Sequence, residues 1–491
     1  MARPTLRFLP ITALLLAAAA CTVGPDYHPP AIMAPKTWVG AKAGVPLVVD
    51  TDAERQLAQW WKLFKDPELD SLVDRAITQN LDVKSASLRV AEARAALAYV
   101  RAGFFPSVSA GVDASRQRLS TADKFPPFGG VYNTFQAGFD MSWELDVFGQ
   151  TRREVEASTA SIQGEEEKRR GTLVTLLGDL GSDYASLRAT QARLRIAERN
   201  IAVGKQILDF TRERSDHGLA SELDVAEADA QVHELQSVVP DFQAAIAQQE
   251  FAIAELLGQE PDALQDELRQ DDLAPDSRLL APLPRLPAEI PSEVIRNRPD
   301  VRAAERQLAS ATATIGIAES AYFPKFTIDP SLDLNAGWLH RMLDVGAMAW
   351  AVPASISMPV FDSGKISAEV SLAKTYAAAE LIAYQKTVLT AFQEVETALS
   401  GYQAATAKAT SLEGAADADQ IALDRATDLY KNGLGDFITV LENEKSLYSA
   451  QDALTENRLA LSLQTIALYK ALGSGWQSLP DVPPAKPRQW P

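Results

Sequence analysis

The chain has 491 residues and carries 47 Lys+Arg against 65 Asp+Glu, a formal charge of −18 at pH 7. That sign argues against a nucleic-acid partner, since affinity for a phosphate backbone is carried by cationic contacts. A single cysteine excludes a disulfide framework and a Cys-cluster zinc site.

Residues 1–20 read as a secretory signal. Arg3 and Arg7 form a short positive stretch, Phe8–Ala20 is apolar, and the run is too short for a membrane span. Cys21 stands where the small residues end that run, which resembles a bacterial lipoprotein cleavage site. The resemblance implies that Cys21 is the first mature residue and carries covalent lipid. Thr22 follows where an Asp would retain the protein at the inner membrane, so the outer membrane is expected. Residues 21–60 form an extended, lipidated segment. No other stretch reaches the ~18 apolar residues of a transmembrane helix.

The rest of the chain is written twice. Phe104-Phe105-Pro106 returns as Tyr322-Phe323-Pro324 and Asp82-Val83 as Asp300-Val301, each 218 residues on. Val147-Phe148-Gly149 answers to Val360-Phe361-Asp362 at 213. Gly218-Leu219 answers to Gly433-Leu434, and Leu257-Gly258 to Leu472-Gly473, at 215. Such order predicts two structural repeats, 61–262 and 290–475, a linker over 263–289, and a Pro-rich tail over 476–491. None of the 28 prolines falls in 128–239 or 360–479, and proline breaks helix interiors, so long helices run there.

In the first repeat a helix is expected near 78–103, strands over about 105–116 and 134–147, a long helix over Thr151–His217, and a returning helix over Leu219–Gly258. In the second, a helix near 299–320 precedes strands over about 325–338 and 350–361, a long helix Ser363–Asn432 and a returning helix Gly435–Leu472. In 134–147 one face is Phe135, Ala137, Phe139, Met141, Trp143, Leu145 and Val147, and Phe326–Trp338 alternates likewise. A sheet packed on a soluble core alternates in the same way. An export signal, aromatics at the ends of the apolar faces and strands longer than the globular norm of ~5–6 residues favour membrane strands. Four strands cannot close a barrel, whose smallest membrane form uses about eight, so strands must be pooled between subunits. The fold class is mainly α with a small membrane β-sheet, in two repeats.

Cys21-Thr-Val-Gly-Pro-Asp-Tyr27, the block Trp61, Phe64, Asp66-Pro67, Leu69, Asn80-Leu81-Asp82, and Ile290-Pro291-Ser292 with Arg298-Pro299-Asp300-Val301 together resemble the TolC-like outer-membrane factor family. The match is to its efflux lipoprotein branch and covers Cys21 to about Gly475. The resemblance implies a homotrimer with a twelve-stranded β-barrel continuous with a twelve-helix α-barrel, set in outer-membrane lipid. It implies a periplasmic adaptor (membrane fusion) protein and an inner-membrane RND-type pump as partners, no enzymatic activity, and no cofactor beyond the lipid on Cys21. An exit duct for secreted proteins and a lipid-anchored helical scaffold are the competing readings.

The same resemblance assigns residues. Ile438 and Glu442 fall at the periplasmic constriction, as an apolar ring above an acidic one. Asp224 and Tyr430 fall where neighbouring hairpins are latched, although Gly435 stands where a better-known member has Arg. Gly218, Leu219, Gly433 and Leu434 form the adaptor-docking tips. From alternation, Asp140, Glu144, Asp329 and Asp333 share the polar strand faces and would make the lumen acidic. The four histidines show no ligand spacing, and no metal site is expected.

Overall fold

The computed structural model describes residues 22–31, 38, 47–48, 57–118, 131–269, 277–281, 286–287 and 296–478. The signal segment, Cys21, much of the linker and the tail from 479 onward lie outside the described residues.

Helix α1 (Pro67–Gln79) starts where Asp66 accepts the backbone N–H groups of Glu68 and Leu69, with Pro67 in the first turn. In α2 (Leu81–Ala102) the cap is Asn80, which accepts from the Val83 N–H at 2.9 Å. Strands β1 (Ser107–Arg118) and β2 (Val131–Leu145) lead to α3 (Gln150–Asp216), and α4 (Glu222–Ser237) and α5 (Val239–Leu256) return. The second half repeats the order: α6 (Pro299–Ser320), β3 (Lys325–Ile328), β4 (Ser331–Ala336), β5 (Met348–Ala351), β6 (Ala354–Ser357), α7 (Lys365–Lys431) and α8 (Phe437–Ala471).

The repetition extends to hydrogen bonds. Helices α3 and α7 each have 67 residues, roughly 100 Å at ~1.5 Å per residue. Each follows a left-handed glycine, Gly149 (φ 85°) or Gly364 (φ 87°), and an aspartate, Asp146 or Asp362, that accepts from first-turn N–H groups. The conformational partner of Gly149 is therefore Gly364, at an offset of 215, and not Asp362 at 213. Each returning limb meets a short helix end-on. The Asn80 amide donates to the Leu256 carbonyl at 2.8 Å, and the Arg298 guanidinium donates to the Ala471 carbonyl, 215 residues later, at 2.7 Å.

One expectation fails in the first return. The single helix over Leu219–Gly258 is divided at Val238, because Pro240 in the first turn of α5 offers no N–H to the preceding turn. Thr455 occupies the matching position in α8, which is unbroken.

The strands form an antiparallel ladder in the order β1, β2, then β3 with β4, then β5 with β6. The two strands expected over 325–338 and 350–361 are each divided, at Pro330 and Pro353. Proline removes a ladder donor, yet both carbonyls still work: Met141 N–H donates to the Pro330 carbonyl at 2.9 Å and Asp329 N–H to the Pro353 carbonyl at 3.1 Å. Two edges stay unpaired, β1 on one side and β5 with β6 on the other.

The largest core lies where α1, α3, α5, α7 and α8 converge, around Trp60, Trp61, Phe64, Leu69, Leu177, Tyr184 and Tyr469. Trp60 stacks on Tyr469 at 5.5 Å. A second core, with Leu208, Val232, Tyr430, Phe437, Val440 and Leu447, lies toward the α3–α4 and α7–α8 turns. No strand residue belongs to any buried apolar cluster among the described residues, and no described helix is long and apolar enough to cross a membrane.

Candidate functional site

Two surfaces carry chemistry: the faces of the sheet and the far helical tips. Cross-strand register sorts the sheet residues cleanly. Ala110, Phe139 and Leu332 are successive partners, and Leu332 pairs on with Trp350. This apolar row crosses the ladder from edge to edge. Among the described residues nothing covers this face: Phe139 is 58% exposed and Trp350 73%, and Val112 (81%) and Ile356 (70%) stand on the same side.

The opposite face is polar. Ser109, Asp140 and Ser331 are partners across three strands, and Asp140 is exposed. Asp329 accepts from the Ser142 hydroxyl at 2.8 Å and Asp333 from the Gln136 amide at 3.2 Å. Gly138 sits beneath Asp333, whose carboxylate occupies the space that a Cβ would need. Glu144 pairs with the Lys325 ammonium at 3.3 Å, so one cation is set within the expected acidic row. Lys325 begins a strand, where alternation puts it on the side of Thr327.

At the tips, Gly218 (φ 70°) and Gly433 (φ 71°) end the long helices in the same way. Leu219 N–H reaches back to the Arg214 carbonyl at 2.8 Å and Leu434 N–H to the Leu429 carbonyl at 2.9 Å, and such left-handed caps need glycine. Leu219 is left 66% exposed and Leu434 76%. Ile438 and Glu442 are exposed on one face of α8, one turn apart, while Phe437, Val440 and Leu447 are buried on the other.

Asp224 and Tyr430 are not joined within the protomer. The Asp224 carboxylate accepts from the Ser221 N–H at 2.9 Å and the Ser221 hydroxyl accepts in return, a box that caps α4. Asp436, the cap of α8, makes no such bond. The Tyr430 hydroxyl is buried 3.5 Å from that of Thr211. Arg214, on the last turn of α3, is one tie between the hairpins. It donates to the Tyr430 carbonyl at 2.9 Å and lies 4.9 Å above the Tyr430 ring. A side chain at Gly435 would press Leu429 at 3.1 Å.

Sequence reasoning also missed Glu444. It is 3% exposed on α8, and its Oε1 has no partner. It faces Gly204 of α3, beside Val232 and Leu235 of α4. Burial pushes its carboxyl up to about 7 against the pull of Lys445, which itself pairs with Glu234 at 3.2 Å.

The profile of the outer membrane efflux proteins matches residues 72–259 and 290–474. A probable efflux pump outer membrane protein of Pseudomonas putida, TtgC, is 30% identical over 474 residues, covering 95% of each chain. The pyoverdine export outer membrane protein OpmQ of Pseudomonas aeruginosa is 31% identical over 485 residues, covering 96% of this chain and 98% of its own. Among solved structures, the outer-membrane channel OprN superposes with a TM-score of 0.86 at 34% identity, over 93% of this chain and all of that one.

Proposed function

The chain belongs to the outer membrane efflux protein family, a family of channels and not of enzymes, and from that premise we propose how it conducts. It resides in the bacterial outer membrane with a helical extension into the periplasm. Three copies pool four strand ribbons each into a twelve-stranded barrel, and their helices form one continuous tunnel beneath it.

The observation that carries this reading is the sheet itself. One face is apolar and bare, and both edges are open. Bare apolar rows are costly in water and natural in hydrocarbon, where only a closed sheet satisfies its backbone. A soluble scaffold would have covered that face. The helices support the same closure. In the row α2, α3, α6, α7, the two outer members expose Leu88 and Tyr99 on one side and Leu372 and Leu389 on the other.

The duct passes small molecules delivered by an inner-membrane pump of RND type through a periplasmic adaptor that docks on Leu219 and Leu434. Names given to the relatives, efflux and pyoverdine export, favour small molecules over secreted proteins. Lipid on Cys21 adds a second hold on the membrane, and the work needs no cofactor. At the tips, Ile438 and Glu442 ring the constriction. Three carboxylates brought to 4 Å repel by about 1 kcal/mol per pair even in bulk water. The charged Arg214 tie, of a kind worth about 1.5–3 kcal/mol, offsets this.

Drug susceptibility of a deletion strain tests the reading. Wild type should restore resistance, and a chain shortened at both hairpin turns should not. Full restoration by the shortened chain would remove the tips from the mechanism.

A further inference from the structure

The motif Thr22–Tyr27, which the proposed conduction does not use, is held by a polar site built around Arg153 near the sheet. Arg153, on the first turn of α3, has a side chain only 4% exposed. Its Nε donates to the Val23 carbonyl at 2.9 Å, and one Nη donates to the Gly24 carbonyl at 2.9 Å and to Asp26 at 3.0 Å. The other Nη donates to Glu156 at 2.7 Å. Val23 N–H in turn donates to the Phe148 carbonyl at 3.1 Å. Farther along, the Tyr27 hydroxyl donates to Glu305 of α6 at 3.0 Å, with the Arg306 guanidinium 5.6 Å over its ring.

The crossing is shaped for backbone. A Cβ on Gly24 (φ +94°) would run into the Cα of Gly316 on α6. One on Gly316 would stand 2.8 Å from the Val23 carbonyl, and one on Gly149 (φ +85°) 2.8 Å from the Thr22 methyl. Three glycines from three parts of the chain thus let the segment lie flat between α3 and α6. These helices come from different repeats, and both adjoin the sheet: α3 follows β2 and α6 precedes β3.

We infer that Thr22–Tyr27 is a peptide ligand of the chain itself, a staple read by Arg153 across the α3–α6 seam, and that this site fixes where the N-terminus leaves the helical wall whether or not it is acylated. The site recognises two consecutive carbonyls and one carboxylate, a pattern suited to a planar guanidinium with several donors. Without the segment, Arg153 loses its bonds to Val23, Gly24 and Asp26 and keeps Glu156, so seam and staple stabilise each other. Thr22 lies against Gly149, at the junction of sheet and helices. Conduction plays no part in this assignment.

Hydrogen exchange by mass spectrometry on the full chain, extracted from membranes, tests it. Wild type is compared with a chain exported by a non-acylating signal in place of residues 1–21, and with Arg153→Ala and Gly24→Ala. The segment 22–28 should be equally protected with and without the acyl group. It should exchange about tenfold faster or more in both substitutions, while 131–145 keeps its protection. If Arg153→Ala also exposes 131–145, Gly24→Ala decides alone, since it alters only the docked segment. Unchanged protection of 22–28 in Gly24→Ala, or protection lost on removing the acyl group alone, would overturn the inference.

Discussion

On the sheet an apolar row points outward, whereas toward the helical tips a group of apolar side chains is packed inward. Val112, Trp350 and Ile356 stand bare on the sheet, whereas Tyr430, Phe437 and Val440 are buried between the tip helices. Both ends are built from the same two repeats. The difference lies in what surrounds each: hydrocarbon dissolves an apolar face, and water forces it into a core. The two ends also differ in how they are held. The sheet rests on a ladder of backbone bonds, but the tips are held by side-chain packing and a few polar ties. One end is suited to be permanent and the other to move.

Introducing a charge on the outward face should have the largest effect. Phe139→Lys faces lipid, and a lysine near the bilayer midplane costs about 2–4 kcal/mol. Heat-resistant trimers should be lost from outer-membrane extracts. Asp140→Lys, one residue away on the polar face, should leave the trimer intact and shift cation selectivity in planar bilayers. Equal loss in both would erase the distinction between the faces.

At the inward end, the buried Glu444 should make packing of the tip helices depend on pH. Its pKa is raised to about 7 from an ordinary 4.5, so the protonated form favours the packed helices. That contribution is complete below about pH 4.5 and lost as pH rises through 7, where the buried carboxylate costs roughly 3 kcal/mol. Exchange over 437–447, corrected for intrinsic rate, should be faster at pH 8 than at pH 5, and Glu444→Gln should abolish the difference. A pH dependence that survives Glu444→Gln would assign the switch elsewhere.

Arg214→Ala removes the charged tie and should raise leak conductance of the reconstituted trimer about tenfold, equivalent to ~1.4 kcal/mol. Asp224→Ala, which loses only a helix cap in its own hairpin, should change it far less. The smallest structural effect belongs to Leu219→Ser with Leu434→Ser. Surface changes of this kind stay within about 0.5 kcal/mol of stability, so trimer melting should be unchanged while drug resistance falls. Unaltered resistance would clear both leucines of docking.

Much of the fold was legible because it is periodic. The strand faces follow from period-two alternation, and the two 67-residue helices lie largely within the proline-free stretches. The breaks at Pro330 and Pro353 were less so, since a missing ladder donor interrupts pairing without disturbing the alternation that marks a strand. The first return was read through Pro240 for a similar reason: apolar spacing continues across it. The tips were legible as far as their glycines. The polar ties were not, because each depends on a partner brought close only by folding. Arg214 meets Tyr430 from 216 residues away, Glu444 is buried by α3 and α4, and Arg153 reads a segment about 130 residues earlier. In sequence each is simply a charged residue on a helix.

Native mass spectrometry of the protein released from the outer membrane in lipid nanodiscs tests most directly whether a bare four-ribbon sheet is completed by identical copies. The expected particle contains three chains, and Phe139→Lys should reduce its yield while Asp140→Lys should not. A single chain inserted alone, or a monomer recovered from the aqueous phase, would contradict the account.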